Sequence, residues 1–342
     1  MIEVLSPEPS AEWDAYVDAH PQATCHHLSG WCKIASRAYG LKARLLVARE
    51  RAGARARGVL PVMVVPRPFC RYVTTGMFGA YGPVLADDAR ARGELLDAAC
   101  AFTTREEARY LHVKALGDGP TPLTFERYDV WVNAKLPLSA GADGVWKGLK
   151  SKIRAAVRQA RGAHLEAHSG HAELDTFYDV LAENMHIKGA PVYGRRFMRE
   201  ILATFGPSVD IVTIRSGRTT IAGALTIAHR GVLYVPFASS RPAYLRLRPN
   251  NLLYWSIIER ACASGLRTLD FGTSLRKSTA FAFKLGWGAL EHPAPSFVWM
   301  RGADHPTLGP GSSAVKAGVR AWRMLPRRTA DALGPVICRL MA

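Results

Sequence analysis

The 342-residue chain lacks any apolar run near the roughly 20 residues that a membrane-spanning helix requires. Its most apolar stretch, Val59–Val65, is broken by Pro61 and stopped by Pro66 and Arg67. The six cysteines (Cys25, Cys32, Cys70, Cys100, Cys262, Cys338) include no CxxC pair, which argues against a disulfide framework and a zinc ribbon. Cys25, His26, His27 and Cys32 lie close together, but their spacing fits no common zinc pattern and no second ligand pair follows. No metal is expected there, and packing is the simpler role. The opening MIEVLSPEPS lacks a basic segment followed by an apolar one, so no secretory signal is read and a cytoplasmic location is expected. Acidic residues are scarce: 28 Asp+Glu against 45 Lys+Arg leave a formal charge of +17. A field of that sign attracts nucleic acid, a nucleotide-bearing donor or an anionic membrane face. An Ala-, Gly- and Arg-rich composition of genomic origin would give the same balance.

What is present is a globular composition, 48% hydrophobic and 21% charged, with length for two domains of ordinary size. Helical spacing predicts helices over 10–20, 29–39 and 90–109. Strands are expected at 44–48, 58–65, 72–75, 110–115 and 128–136, with a Gly-rich loop at Gly76–Pro83 and a turn at Asp118–Pro122. After a linker near Pro137–Gly144 the order repeats. Helices are expected at 145–161, 175–186 and 195–204, strands at 209–215, 221–228 and 232–238, then a helix at 250–264 and a strand at 268–271. This loose duplication gives an α/β (α+β) expectation of two tandem units, residues 1–140 and 141–300, each a mixed, mainly antiparallel sheet flanked by helices. Residues 301–342 form a third piece, a basic tail of two amphipathic helices hinged at Pro326. It is expected to dock on the body, with a peripheral membrane contact as the alternative.

Three segments carry chemistry. In WKGLKSKIRAAVRQAR (146–161), Trp146, Leu149, Ile153, Val157 and Ala160 form an apolar stripe beside Lys150, Arg154, Arg158 and Arg161. That basic face suits an anion or merely solvent. In 239–259, Arg241, Arg246 and Arg248 precede Pro249, Asn250 and Asn251, which read as a helix start. Loop arginines beside exposed N–H groups make an anion site. The Gly-rich loop of ordinary acetyl-CoA enzymes is missing here. Finally, Asp270-Phe271-Gly272 ends a strand and is followed by Phe281-Ala282-Phe283-Lys284-Leu285-Gly286-Trp287-Gly288. An ammonium among aromatic and glycine residues is partly desolvated and suited to an oxyanion in acyl transfer.

The string DFG…FAFKLGWG, preceded by RPNNLLYWSIIERACASGLRTLDFG, resembles the Fem family of peptidyltransferases. More narrowly, it resembles the FemAB-like proteins associated with exosortase and exopolysaccharide systems. The likeness extends through 150–161, the ENMHIKGAPVYGRRF stretch (183–197), Gly58–Pro61, Tyr81-Gly82-Pro83 and the tail around Trp322–Arg339. The resemblance implies a GNAT-related fold and amide formation by aminoacyl transfer from charged tRNA to an amine, with Lys284 holding the tetrahedral oxyanion. Candidate partners of Lys284 are His186 or Asp270 as base, Asp270 alternatively orienting its loop, and Tyr254 as a positioning group. Arg241, Arg246, Arg248, Asn250, Asn251, Arg154 and Arg158 would bind the donor. Pro191, Tyr193, Tyr81, Phe283 and Trp287 would line the acceptor side. The chain departs from the family pattern at Thr273, Leu275 and Lys277 and at His186, where an arginine-like residue is usual, so acceptor identity is the property these changes touch.

Three functions follow as expectations: a tRNA-dependent aminoacyltransferase, an acyl-CoA-type N-acyltransferase of polysaccharide or envelope precursors, and a non-catalytic assembly protein binding a membrane or polymer. No bound cofactor is expected; aminoacyl-tRNA, or acyl-CoA, would be a co-substrate. The acceptor would be an amine on a small molecule or an envelope precursor.

Overall fold

The computed structural model describes residues 1–68, 70–76, 80–115, 122–302 and 313–341. Residues 77–79 of the Gly-rich loop, most of the Asp118–Pro122 turn and the first part of the tail, 303–312, lie outside the described residues.

Among the described residues the strands form two sheets. The first runs Ile2–Leu5, Lys42–Ala48, Gly58–Arg67, Cys70–Thr74, Tyr110–Val113, Ser296–Met300, Phe125–Tyr128, with the short Leu85–Ala86 pairing on Gly58–Arg67. The second runs Leu290–Pro293, Trp131–Pro137, Thr268–Leu275, Val232–Ser240, Thr219–His229, Val209–Ser216, Leu165–Ser169. Each sheet is mainly antiparallel and contains one parallel pair: Cys70–Thr74 with Tyr110–Val113, and Val232–Ser240 with Thr268–Leu275.

The sheet boundary does not follow the expected divisions at 140 and 300. Trp131–Pro137 pairs with Thr268–Leu275 in the second sheet, and Ser296–Met300 lies between Tyr110–Val113 and Phe125–Tyr128 in the first. Such long-range exchange leaves no local signature, because periodicity reports which face of a strand is buried and not which strand lies beside it.

Helix starts follow side-chain chemistry. Ser10 accepts the Trp13 N–H, Asp88 accepts that of Ala91, and Ser278 accepts that of Phe281. The expected helix 145–161 is instead two helices, Gly141–Gly148 and Ser151–Gly162. Leu149 and Lys150 between them are extended, and the Arg154 guanidinium donates to the carbonyls of Trp146, Lys147 and Leu149 at the break. Gly148 weakens the helix at the break.

One apolar cluster draws on both sheets. Helix Gly30–Tyr39 packs on helix Arg195–Phe205 through Trp31–Phe205 and Tyr39–Phe197 ring contacts, and Phe177, Tyr234 and Phe237 of the second half join the same cluster. Gly30 lets the helices meet: a Cβ there would lie 2.6 Å from Thr204.

The tail helices Ser313–Met324 and Arg327–Met341 meet at Leu325–Pro326 and dock on the body. Arg323 donates to the Lys188 carbonyl, Arg327 to the Asp179 carbonyl, and Gly334 sits against Val192.

Candidate active site

The parallel pairing of Val232–Ser240 with Thr268–Leu275 stops after Tyr234↔Asp270, although both strands continue. Where they part, a cavity of about 510 Å³ opens, lined by Tyr234–Ala238 on one strand and Asp270–Ser274 on the other. Leu181 and Met185 of helix Leu174–Lys188, Tyr193, His26 and Tyr81 complete the wall with Tyr254 and Lys284. A pocket of this size, rich in aromatic side chains and with few charges, suits a small organic group.

Lys284 lies in the last turn of the short helix Thr279–Gly286 rather than in a turn between elements. The helix projects it to the cavity wall, where it is 8% exposed. Its ammonium donates to the carbonyls of Gly272 at 2.7 Å and Thr273 at 3.2 Å, leaving one of its three N–H groups. Desolvation lowers its pKa to about 8, against the pull of the Asp270 carboxylate.

The carbonyls that hold this ammonium are themselves fixed. Gly272 has φ +72, a left-handed conformation natural to glycine, and its N–H donates to Asp270 Oδ1 at 2.8 Å. The buried Asp270 receives the Tyr81 hydroxyl on Oδ2, and Asn133 Nδ2 at 3.0 Å on the same oxygen. Lys135 Nζ stands 3.9 Å away. Burial and the carboxylate push the Tyr81 phenol well above its usual range, so it remains a donor. Asp270 thus shapes the turn under Lys284, and both its oxygens are occupied. Of its two expected roles, base or orienting group, the geometry favours the second. Tyr81, an expected acceptor residue, ties the first half of the chain to this turn.

Tyr254 lines the cavity with its ring against Phe271, Phe283 and Trp287, and burial raises it to about 12. Tyr193 also lines it, its carbonyl accepting from Tyr178.

Other expected residues are placed elsewhere. His186 is not a cavity group: its Nε2 meets the Leu325 carbonyl at 2.9 Å, so the tail takes it. Trp287 is 1% exposed in a separate apolar cluster formed by the second sheet and its helices, and Phe283 packs against that cluster. Pro191 sits in the loop beside Val192, which carries Gly334 of the tail. Arg241 pairs with Glu183 at 2.7 Å and donates to the Thr220 carbonyl. Arg154 closes the break described above. Asn250 and Asn251 fall inside the helix Pro249–Ala263. Its cap position is Arg248, at φ +60 and with no side-chain cap bond. Arg246 and Arg248 remain exposed, the latter donating to Gln159 at 3.3 Å, and exposed Arg158 lies over Trp146. Gln159 also donates to the Arg246 carbonyl at 3.1 Å, which sets Arg246 and Arg248 beside the helix that carries Arg158; Lys147, Lys150 and Lys152 are exposed as well.

His26 was passed over in the sequence because it stood in an apparent Cys/His cluster. It lines the cavity edge-on to Tyr81 and Tyr234, and burial lowers it to about 3, so it is a neutral imidazole. Its neighbours explain the cluster: His27 meets the Pro83 carbonyl at 2.8 Å, and the Cys25 carbonyl takes Trp31 Nε1.

Residues 147–284 match the family model described as acetyltransferase (GNAT) domain. No curated protein sequence matches the chain. Among solved structures it is similar to FemX, at 15% identity and TM-score 0.68 over 87% of this chain and 97% of that one. It is similar to the C-terminal domain of a putative lysylphosphatidylglycerol synthetase from Agrobacterium fabrum, at 12% identity and TM-score 0.55 over 84% and 90%. A tandem GNAT protein from the clavulanic acid biosynthesis pathway aligns at 11% identity and TM-score 0.54 over 89% and 100%. At these identities the likeness is one of fold, and it agrees with two GNAT-like units in tandem.

Proposed function

We propose that this chain, a GNAT-fold acyltransferase, forms an amide by moving an aminoacyl group from aminoacyl-tRNA to an amine on a small molecule or envelope precursor. The observation that carries the reading is Lys284: a desolvated ammonium, held by two backbone carbonyls, at the wall of the cavity where the strands part. The amine nitrogen attacks the ester carbonyl, a C–N bond forms, and negative charge gathers on the carbonyl oxygen. The remaining Lys284 N–H meets that oxyanion. Collapse breaks the ester C–O bond, and the proton lost by nitrogen ends on the leaving oxygen. Asp270 holds the turn. The exposed cations Arg158, Arg246 and Arg248, brought together around Gln159, support a polyanionic donor.

A thioester donor such as acyl-CoA is the second reading, favoured by the lining of the cavity. Asp270 is the one carboxylate among the described lining residues, and its oxygens are taken. Having already accepted three hydrogen bonds, it has little capacity left to pair with the ammonium of an aminoacyl group. Incubating purified protein with charged tRNA or acyl-CoA and a panel of amines, and following donor loss, separates the two. Consumption of neither donor, with every amine, would overturn both.

A further inference from the structure

The tail has an inner face and an outer face of different chemistry. On helix Arg327–Met341 the inner face is Ala330, Gly334 and Cys338, buried at every fourth residue. A Cβ on Gly334 would lie 2.8 Å from the Val192 carbonyl, so this side is closed against the body. The outer face carries Leu333, 43% exposed, and Val336, 58% exposed, with half-buried Leu340 in line at i, i+3 and i+7. Exposed Arg328 and Arg339 line one side of that stripe. The preceding helix adds Met324, 79% exposed, and exposed Lys316 and Arg320. Across 313–341 there are six Lys/Arg and one acidic residue, Asp331, which sits 3.6 Å from Arg327.

A helix that already buries one face normally presents polar side chains to water on the other. Here the outer face is apolar and basic together. We propose that it rests on an anionic lipid bilayer, with Leu333, Val336 and Met324 entering the headgroup–acyl boundary and the arginines pairing with lipid phosphates. RNA would engage the same arginines but would have no use for the three exposed apolar side chains. The surface also stands close to the chemistry. The tail packs on helix Leu174–Lys188, whose Leu181 and Met185 line the cavity. Bilayer contact is independent of which donor is used and of whether Lys284 acts as described.

The test is co-sedimentation of the full chain with vesicles of phosphatidylcholine alone or with about a quarter phosphatidylglycerol, at about 0.1 M salt. Binding to the anionic vesicles is expected to exceed binding to the neutral ones by about tenfold or more. It should fall by a similar factor in Arg328→Glu/Arg339→Glu and, separately, in Leu333→Ser/Val336→Ser. Both variants should melt as the wild type does, since these side chains face solvent. Equal binding to the two vesicle types overturns the proposal. So does an apolar-pair variant that binds vesicles like the wild type while the arginine pair loses binding to vesicles and tRNA alike, which would mark a nucleic-acid surface.

Discussion

The two halves of the molecule share an arrangement and differ in whether it is open. Each sheet has one parallel strand pair, and each places a lysine near the end of that pair. In the first half the pairing continues past Thr74↔His112: Thr75 donates its N–H to the His112 carbonyl, and Lys114 donates its own to Thr75 Oγ1. Ala80, Pro61 and Gly76 then close the space, leaving hollows of about 10 Å³. In the second half the strands separate after Tyr234↔Asp270 and leave about 510 Å³. Both lysines are drawn down to about 8 by desolvation. A lowered lysine is therefore no mark of catalysis by itself; the space before it makes the difference.

The strongest break of this comparison is Lys284→Ala, expected to lower kcat/KM about 100- to 1,000-fold, the usual cost of removing an oxyanion donor. Donor-consumption assays check it, with circular dichroism to show that the fold remains. Turnover within threefold of wild type would sink the assignment. The second test is pH. Transfer needs the ammonium, so its rate should fall as pH rises through about 8. Stability should move the other way. Between about 8 and the ordinary 10.5 the unfolded chain holds protons that the folded lysines have lost, so unfolding free energy rises with pH in that window. Urea titrations at several pH values should show the rise, flattened in Lys284→Met and in Lys114→Met.

Tyr81→Phe tests the link between the halves. It removes a hydroxyl from a buried carboxylate and should cost about 1.5–3 kcal/mol by urea denaturation. It should also lower kcat more than it raises KM, because the turn under Lys284 loosens. His186→Ala should cost only about 0.5–1.5 kcal/mol, through the lost contact with Leu325, and leave turnover unchanged. The smallest effect is expected from Lys114→Met, with turnover within threefold of wild type; a larger loss would mean that the first half also takes part in chemistry.

Much of the fold was legible where the cause is local. The helices expected at 10–20, 29–39 and 90–109 and the proline break in the tail are written in neighbouring residues. The site was legible where a short string carries it, as with Asp270, Gly272 and Lys284. It was not legible where a distant partner decides a side chain's role. Nothing near His186 announces the Leu325 carbonyl, nothing near Arg241 announces Glu183, and the break that Arg154 closes appears only once Leu149 is seen to be extended. Phe283 and Trp287 were read by chemistry alone, and packing gave them another task. His26 failed for the opposite reason: its conspicuous neighbours drew attention to a metal and away from the cavity.

The strand Ser296–Met300 has a consequence for how the protein is made. It lies inside the first sheet, between Tyr110–Val113 and Phe125–Tyr128, yet it leaves the ribosome after nearly the whole chain. The first sheet, begun with Ile2, cannot be completed during synthesis of its own half. Its unpaired edges at Tyr110–Val113 and Phe125–Tyr128 must wait, open to other chains, until translation has passed Met300.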